Sequence, residues 1–239
     1  LELVLEFGGK TKVPDIRRLY DMKDVLYDQE WAADAENSEL YYMYRDLYLS
    51  RKDKNLLRDQ SLRYDITIIP PEMLGKEYIK TAGHYHPKVP GSNVTYPEVY
   101  EVLEGEATYL LQREDLSEVV VMRAFSGDKV VIPPGYGHIT INQSNKRLKM
   151  ANFVCGDFSS IYGPIKEKGG GAYFLLEEGF VKNPSCSEAA PLREIEVPRA
   201  RDMGFVRSRE MYPLLREKGK LDWLVRPQDY PELFEGLLD

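Results

Sequence analysis

Only three histidines and two cysteines occur in 239 residues, and no run of apolar residues approaches the length of about 18 that a membrane-crossing helix needs. Two thiols, Cys155 and Cys186, cannot build a disulfide framework or a thiolate zinc site, so a reducing compartment is expected. Positive charge is also short. With 32 Lys plus Arg against 39 Asp plus Glu, the formal charge is −7, and no basic arm or patch stands ready for a phosphate backbone. Nucleic acid and membrane are therefore excluded as expected partners. An anionic substrate would meet an opposing field, which a bound cation and local Lys, Arg or backbone N–H groups would have to overcome. The stretch Leu1 to Gly9 is acidic rather than basic then apolar, so a cytoplasmic protein is expected.

The three histidines are concentrated in two short patterns. The first is Gly83-His84-Tyr85-His86, followed by Glu98 and, seven residues on, Gly105; the second runs Gly127, Pro133, Gly135, His138, Asn142. Three imidazoles and a carboxylate suit a divalent first-row metal. The surrounding chain, from about Ser61 to Gly156, is a series of short runs rich in Val, Ile, Thr and Tyr, broken by Pro, Gly and charged turns. Strands are expected over 64–69, 77–81, 98–103, 107–112, 118–122, 129–132, 138–142 and 148–154, in an antiparallel sandwich or barrel.

The spacing of Met22, Val25, Leu26, Trp31 and Ala32 predicts a helix over about 20–36 ahead of the sheet. Past Lys182 the composition turns to Asn-Pro, Ser and several prolines, and two amphipathic helices are expected at 208–218 and 230–238. The expected organisation is residues 1–182 as a β-barrel domain with an N-terminal arm and 183–239 as an extension. That extension is too short for a confident core of its own and is expected to pack on the barrel or on a second subunit.

Residues two apart in a strand share a face, so His84 and His86 can aim into one lumen while Tyr85 turns away. The same parity groups Glu98 with Tyr100 and Val102, and His138 with Thr140 and Asn142. Glu101 and Glu104 rival Glu98 as the carboxylate, but Glu101 has the opposite parity and Glu104 adjoins the turn.

These two halves resemble the two motifs of the cupin superfamily, GxxxxxHxH, a spacer and ExxxxxxG, then GxxxxxPxGxxHxxxN. Tyr78 stands where the first Gly would be, and the eleven residues between His86 and Glu98 predict a bulging loop over Pro87 to Pro97. The phrases Gly75-Lys76-Glu77-Tyr78, Thr81 to His86, Pro97 to Tyr100, Val131 to His138, Arg17-Arg18-Leu19, Tyr162-Gly163 and Glu167-Lys168-Gly169 are similar to the cupin-type glucose-6-phosphate isomerases of archaea and some bacteria.

That resemblance implies a mainly β jelly-roll barrel and a homodimeric enzyme of glycolysis and gluconeogenesis interconverting glucose 6-phosphate and fructose 6-phosphate. It also implies a divalent metal, iron(II) foremost, with manganese, nickel or zinc able to substitute. The implied metal ligands are His84, His86, Glu98 and His138. The implied substrate contacts are Thr67, Thr81, Gly83 and Tyr162, with Tyr41 and Tyr100 beside the sugar chain. Glu98, Tyr100 and His138 are the catalytic candidates. Phe153 stands where that family often has Tyr, and Ser159 or Ser160 where it often has His.

Moving a carbonyl between C1 and C2 requires removing a proton from the adjacent carbon, with Glu98 as the candidate base through a cis-enediol; a hydride shift is the alternative. Lys76, Lys80, Lys88 and Arg113 are further candidates for holding a phosphate. An iron-dependent oxygenase, a non-catalytic metal or sugar-binding module, and activity on mannose 6-phosphate remain open on the residues alone. So does a plain structural role for Thr67, Thr81, Tyr41 and Tyr100.

Overall fold

A computed structural model describes residues 4–200 and 202–239; residues 1–3 of the expected N-terminal arm and residue 201 of the expected extension lie outside the described residues. The β-branched and aromatic runs form strands at the expected places: β5 (Leu62–Ile69), β8 (Glu98–Glu104), β9 (Glu106–Arg113), β10 (Val119–Phe125), β11 (Lys129–Ile132), β12 (Tyr136–Ile141) and β13 (Leu148–Cys155). Earlier in the chain come a hairpin, β1 (Leu5–Phe7) with β2 (Lys10–Lys12), and two further strands, β3 (Asp15–Arg18) and β4 (Glu39–Tyr44). Short strands β6 (Met73–Leu74), β7 (Glu77–Tyr78), β14 (Tyr173–Leu176) and β15 (Gly179–Lys182) make a separate small sheet, and β16 (Leu192–Ile195) joins late.

One sheet has the order β11-β8-β13-β5-β4-β3 and the other β12-β9-β10-β16. The second is continued at its β12 edge by the 80–84 segment, through the bridges Lys80↔Ile141 and His84↔His138. From β5 to β13 the chain switches repeatedly between the sheets, so that β5 pairs with β13, the 80–84 segment with β12, and β8 with β11. This nested antiparallel pairing is a jelly roll, realised as two facing sheets around a lumen rather than a continuously hydrogen-bonded barrel. One pairing departs from the antiparallel expectation: β16 runs parallel to β10.

Alternation along the strands decides what each face does. On the first sheet Tyr42, Tyr44, Tyr64, Ile66, Val99, Ala151 and Phe153 face away from the lumen, yet all are buried, because the C-terminal segment covers them with Met211, Tyr212, Leu215 and Trp223. Along β5 the alternation is plain: Leu62, Tyr64, Ile66 and Ile68 lie on this covered outer face, and Arg63, Asp65 and Thr67 face the lumen. Tyr212 packs edge-on to Tyr64, with centroids 4.7 Å apart, and its hydroxyl accepts from Leu49 N–H at 2.9 Å. Glu101 lies on this outer side too. It pairs with Lys129 at 3.0 Å and accepts from Met211 N–H at 2.8 Å, which fastens the extension to the sheet.

The helices are where the pattern misleads. The expected helix over 20–36 is broken into single 3-10 turns at Leu19–Asp21 and Lys23–Val25, followed by α1 (Gln29–Asp34), whose N-cap Asp28 accepts from Trp31 N–H. A second helix, α2 (Arg51–Asp59), was not expected; it begins at Ser50, whose hydroxyl accepts from Asp53 N–H. The two C-terminal helices reduce to 3-10 turns at Tyr212–Arg216, Asp222–Leu224, Pro227–Asp229 and Pro231–Leu233. Pro213, Pro227 and Pro231 each start a turn but remove a donor and clash with a continuing helix. No helix among the described residues is long and apolar enough to cross a membrane.

Candidate active site

Four side chains from three parts of the jelly roll meet at one end of the lumen. His84 and His86 come from the segment paired with β12, Glu98 starts β8, and His138 lies in β12. Their ligand atoms all lie within 4.8 Å of one another. Parity works as expected: Tyr85 points away, its hydroxyl accepting from Gln112 Nε2 at 2.8 Å, and Glu101 and Glu104 pair elsewhere with Lys129 and Arg147. The long spacer between His86 and Glu98 folds back as a small loop, closed by the Lys88↔Thr95 bridge.

The local chemistry asks for a cation. His86 Nδ1 lies 2.9 Å from the Tyr96 carbonyl and therefore carries the proton, so Nε2 presents a lone pair. That Nε2 is 3.1 Å from His84 Nε2 and 3.3 Å from Glu98 Oε2, and His138 Nε2 is 3.3 Å from the same oxygen. Glu98 Oε2 is buried without a hydrogen-bond donor. Electron-rich atoms so placed repel unless a positive charge sits among them, and edges near 3 Å fit bonds of about 2.0–2.2 Å to one first-row ion. Burial holds His84 well below its ordinary value, helped by His138 and His86, and burial likewise lowers His138, so both rings are neutral near pH 7.

Asn142, the last residue of the second pattern, does not join the cluster. Its amide donates to the carbonyls of Ile69, Pro70 and Lys146, tying down the turn after β12.

Beside the cluster opens a cavity of about 300 Å³. Tyr41, Thr67, Thr81, Gly83, Tyr100 and Tyr162 all line it. Tyr100 Oη lies 3.0 Å from His138 Nε2, and burial, with Glu98 nearby, raises its hydroxyl well above the ordinary value, so it stays protonated. Tyr41 Oη accepts from Ala82 N–H at 3.3 Å, and Thr81 Oγ1 accepts from Thr140 N–H at 3.0 Å, leaving the Thr81 hydroxyl proton free to donate. Gly83 has φ +77° and passes so close to Ile139 that a Cβ would come 2.5 Å from its Cγ1; only glycine keeps the chain there. Tyr162 precedes α3 (Gly163–Glu167) and is 38 % exposed at the cavity mouth, its ring 5.4 Å from His84.

Several expected contacts are elsewhere. None of Lys76, Lys80, Lys88 and Arg113 lines the cavity. Lys80 is buried against Glu77 at 2.7 Å and donates to the Val25 carbonyl, pinning the N-terminal turns, while Arg113 pairs with Glu118. Phe153 is buried against Tyr64 on the outer face; the neighbouring lumen position is Val154. Asn152, which belongs to neither histidine pattern, donates to Glu98 Oε1 at 2.7 Å. Its signal was the alternation of Met150, Asn152 and Val154 along β13. The same alternation places Arg63 and Asp65 in the lumen beside Thr67.

The family model described as glucose-6-phosphate isomerase matches residues 16–191. The chain is 30 % identical over 196 residues to the glucose-6-phosphate isomerase of Thermococcus kodakarensis, covering 79 % of this chain and 96 % of that one. It is 31 % identical over 169 residues to the enzyme of the same name from Thermococcus litoralis, covering 70 % and 82 %. Among solved structures it is similar to an oxalate decarboxylase of Bacillus subtilis, with TM-score 0.39 and 17 % identity over 52 % of this chain and 28 % of that one.

Proposed function

We infer the function from descent and chemistry together: the chain belongs to the glucose-6-phosphate isomerase family and is an aldose–ketose isomerase of glucose 6-phosphate and fructose 6-phosphate. We propose that His84, His86, Glu98 and His138 hold a divalent metal and form its active site. The observation that carries the assignment is the buried, donorless Glu98 Oε2 facing the imidazole nitrogens next to a cavity of sugar-phosphate size. A divalent cation held there would supply Lewis acidity to the oxygens on C1 and C2.

The rest falls to side chains. Glu98 takes the proton from C2 of the aldose or C1 of the ketose, the hydroxyl proton passes between O2 and O1 through the cis-enediol, and Glu98 returns its proton to the other carbon, so charge and atoms balance. Asn152 holds Glu98 Oε1 while Oε2 stays with the imidazoles, which separates the two oxygens' tasks. Tyr100 stays neutral, and with the His138 Nε2 lone pair given over to the metal its hydroxyl proton would be free for a substrate oxygen that gains charge. Thr67, Thr81 and the Gly83 backbone line the cavity and orient the phosphorylated end, with Tyr41 and Tyr162 along the sugar chain.

Iron(II) is the native metal in this reading, with manganese(II), nickel(II) or zinc(II) as substitutes, since a set of three nitrogens and one oxygen accepts each of them. The working form is a cytoplasmic homodimer in glycolysis and gluconeogenesis. The test is a coupled assay on fructose 6-phosphate before and after exhaustive chelation: activity is lost and returns with iron(II) or manganese(II). Turnover untouched by metal removal sinks the assignment.

A further inference from the structure

We propose that Arg17 is the anchor for the substrate's phosphate and sets the preference for phosphorylated over free sugar. This rests on the sugar-phosphate reading above but assigns a residue that reading does not use.

The surroundings of Arg17 differ from those of every other arginine near the lumen. Arg18 pairs with Glu39 at 2.7 Å, Arg45 with Asp15 at 3.1 Å, and Arg63 with Asp65 at 2.8 Å. Arg17 makes no ion pair with a carboxylate among the described residues, and its Nε is buried without an acceptor. A guanidinium cannot shed its charge, so an unanswered buried N–H is a standing cost that an arriving anion would remove.

Its position is set by the fold. Arg17 pairs with Tyr41 across the β3–β4 edge, and the register slips between Arg17 and Arg18, a bulge that lets adjacent arginines serve different partners. The guanidinium carbon lies 6.0 Å from the Tyr41 ring centroid and 5.7 Å from that of Tyr162, two rings that line the cavity mouth. Tyr41 in turn receives Ala82 N–H, so Arg17, although not itself a lining residue, stands directly behind two rings that are, one of them bonded to the Thr81–Gly83 segment. The two faces of the rings hold the cation by cation–π attraction without neutralising it. Arg45 and Arg63 line the cavity but each already faces a carboxylate, whereas Arg17 beside it faces none and offers a fork for a phosphate dianion.

The test uses the metal-loaded full chain, with sorbitol 6-phosphate as a phosphorylated probe that cannot be isomerised and sorbitol as its neutral control. In Arg17→Gln, calorimetric affinity for sorbitol 6-phosphate weakens about 10- to 100-fold, the loss expected for a charge-assisted fork, and sorbitol affinity does not change. The KM for fructose 6-phosphate rises by a similar factor while kcat changes less than about threefold. Arg17→Lys, which keeps charge but not the planar fork, falls between parent and Arg17→Gln. Metal content and melting temperature establish that both variants are folded. A folded Arg17→Gln that binds sorbitol 6-phosphate within about twofold of the parent overturns the anchor while leaving the isomerase reading intact. A parent protein that binds the probe through Arg17 yet converts no fructose 6-phosphate overturns the isomerase reading and keeps the anchor.

Discussion

Asn152 donates its amide to Glu98 Oε1 at 2.7 Å, while Glu98 Oε2 lies 3.3 Å from the ring nitrogens of both His86 and His138. A carboxylate only accepts, so the amide orientation is unambiguous, and the two oxygens are held to different neighbours. Both residues are nearly fully buried, which fixes the arrangement more firmly than a solvated contact would.

Removing that amide leaves Glu98 free to rotate. Asn152→Leu is expected to lower kcat about 10- to 100-fold, the usual effect of losing a group that orients a metal ligand. KM for fructose 6-phosphate changes little. Steady-state kinetics with metal analysis of the same sample checks this; full kcat with full metal content would count against the positioning role.

The base assignment has its own readout. With substrate deuterated at C2, transfer through Glu98 and an enediol washes label into water, whereas complete retention at C1 would mean a hydride shift. Glu98→Gln that keeps its metal and full turnover would remove Glu98 as the base.

Acid should weaken the metal-free protein before it protonates ordinary carboxylates. His84 and His138 lie below their ordinary value of 6.5 when folded, mainly through burial. As pH falls through about 6.5 the unfolded chain takes up protons that the folded chain refuses, so stability drops from there until the folded values are reached. Melting temperatures of chelated protein between pH 8 and 5 test this; a flat profile contradicts it.

Tyr212→Ala should cost about 3–5 kcal/mol, as large aromatic truncations in cores do. The residue is 4 % exposed, packs on Phe7, Tyr64 and Phe153, and answers Leu49 N–H. Urea unfolding measures the loss. A change under about 1 kcal/mol would mean that the C-terminal segment is only loosely held on the sheet.

Much of the lumen was legible because strand alternation is a local rule. Knowing that His84, His86, Glu98 and His138 point inward needs only parity along each segment, and the wrong parity of Glu101 is visible in the same way. The helices were not legible for a complementary reason. Apolar spacing around Met22 and Leu26, or around Leu214 and Leu215, marks which side chains are buried, and 3-10 turns interrupted by extended residues bury them as well as a helix does.

The sequence by itself determined which three imidazoles and one carboxylate could converge, the strands that carry them and the face each takes, because spacing and backbone alternation are properties of neighbouring residues. Only the tertiary structure decided that Asn152 reaches Glu98, that Arg17 is left without a carboxylate while Arg45 and Arg63 are paired, and that residues past Lys182 seal the outer face of the sheet. Those outcomes depend on which distant groups arrive at the same place, and a partner separated by tens of residues leaves no periodicity to read.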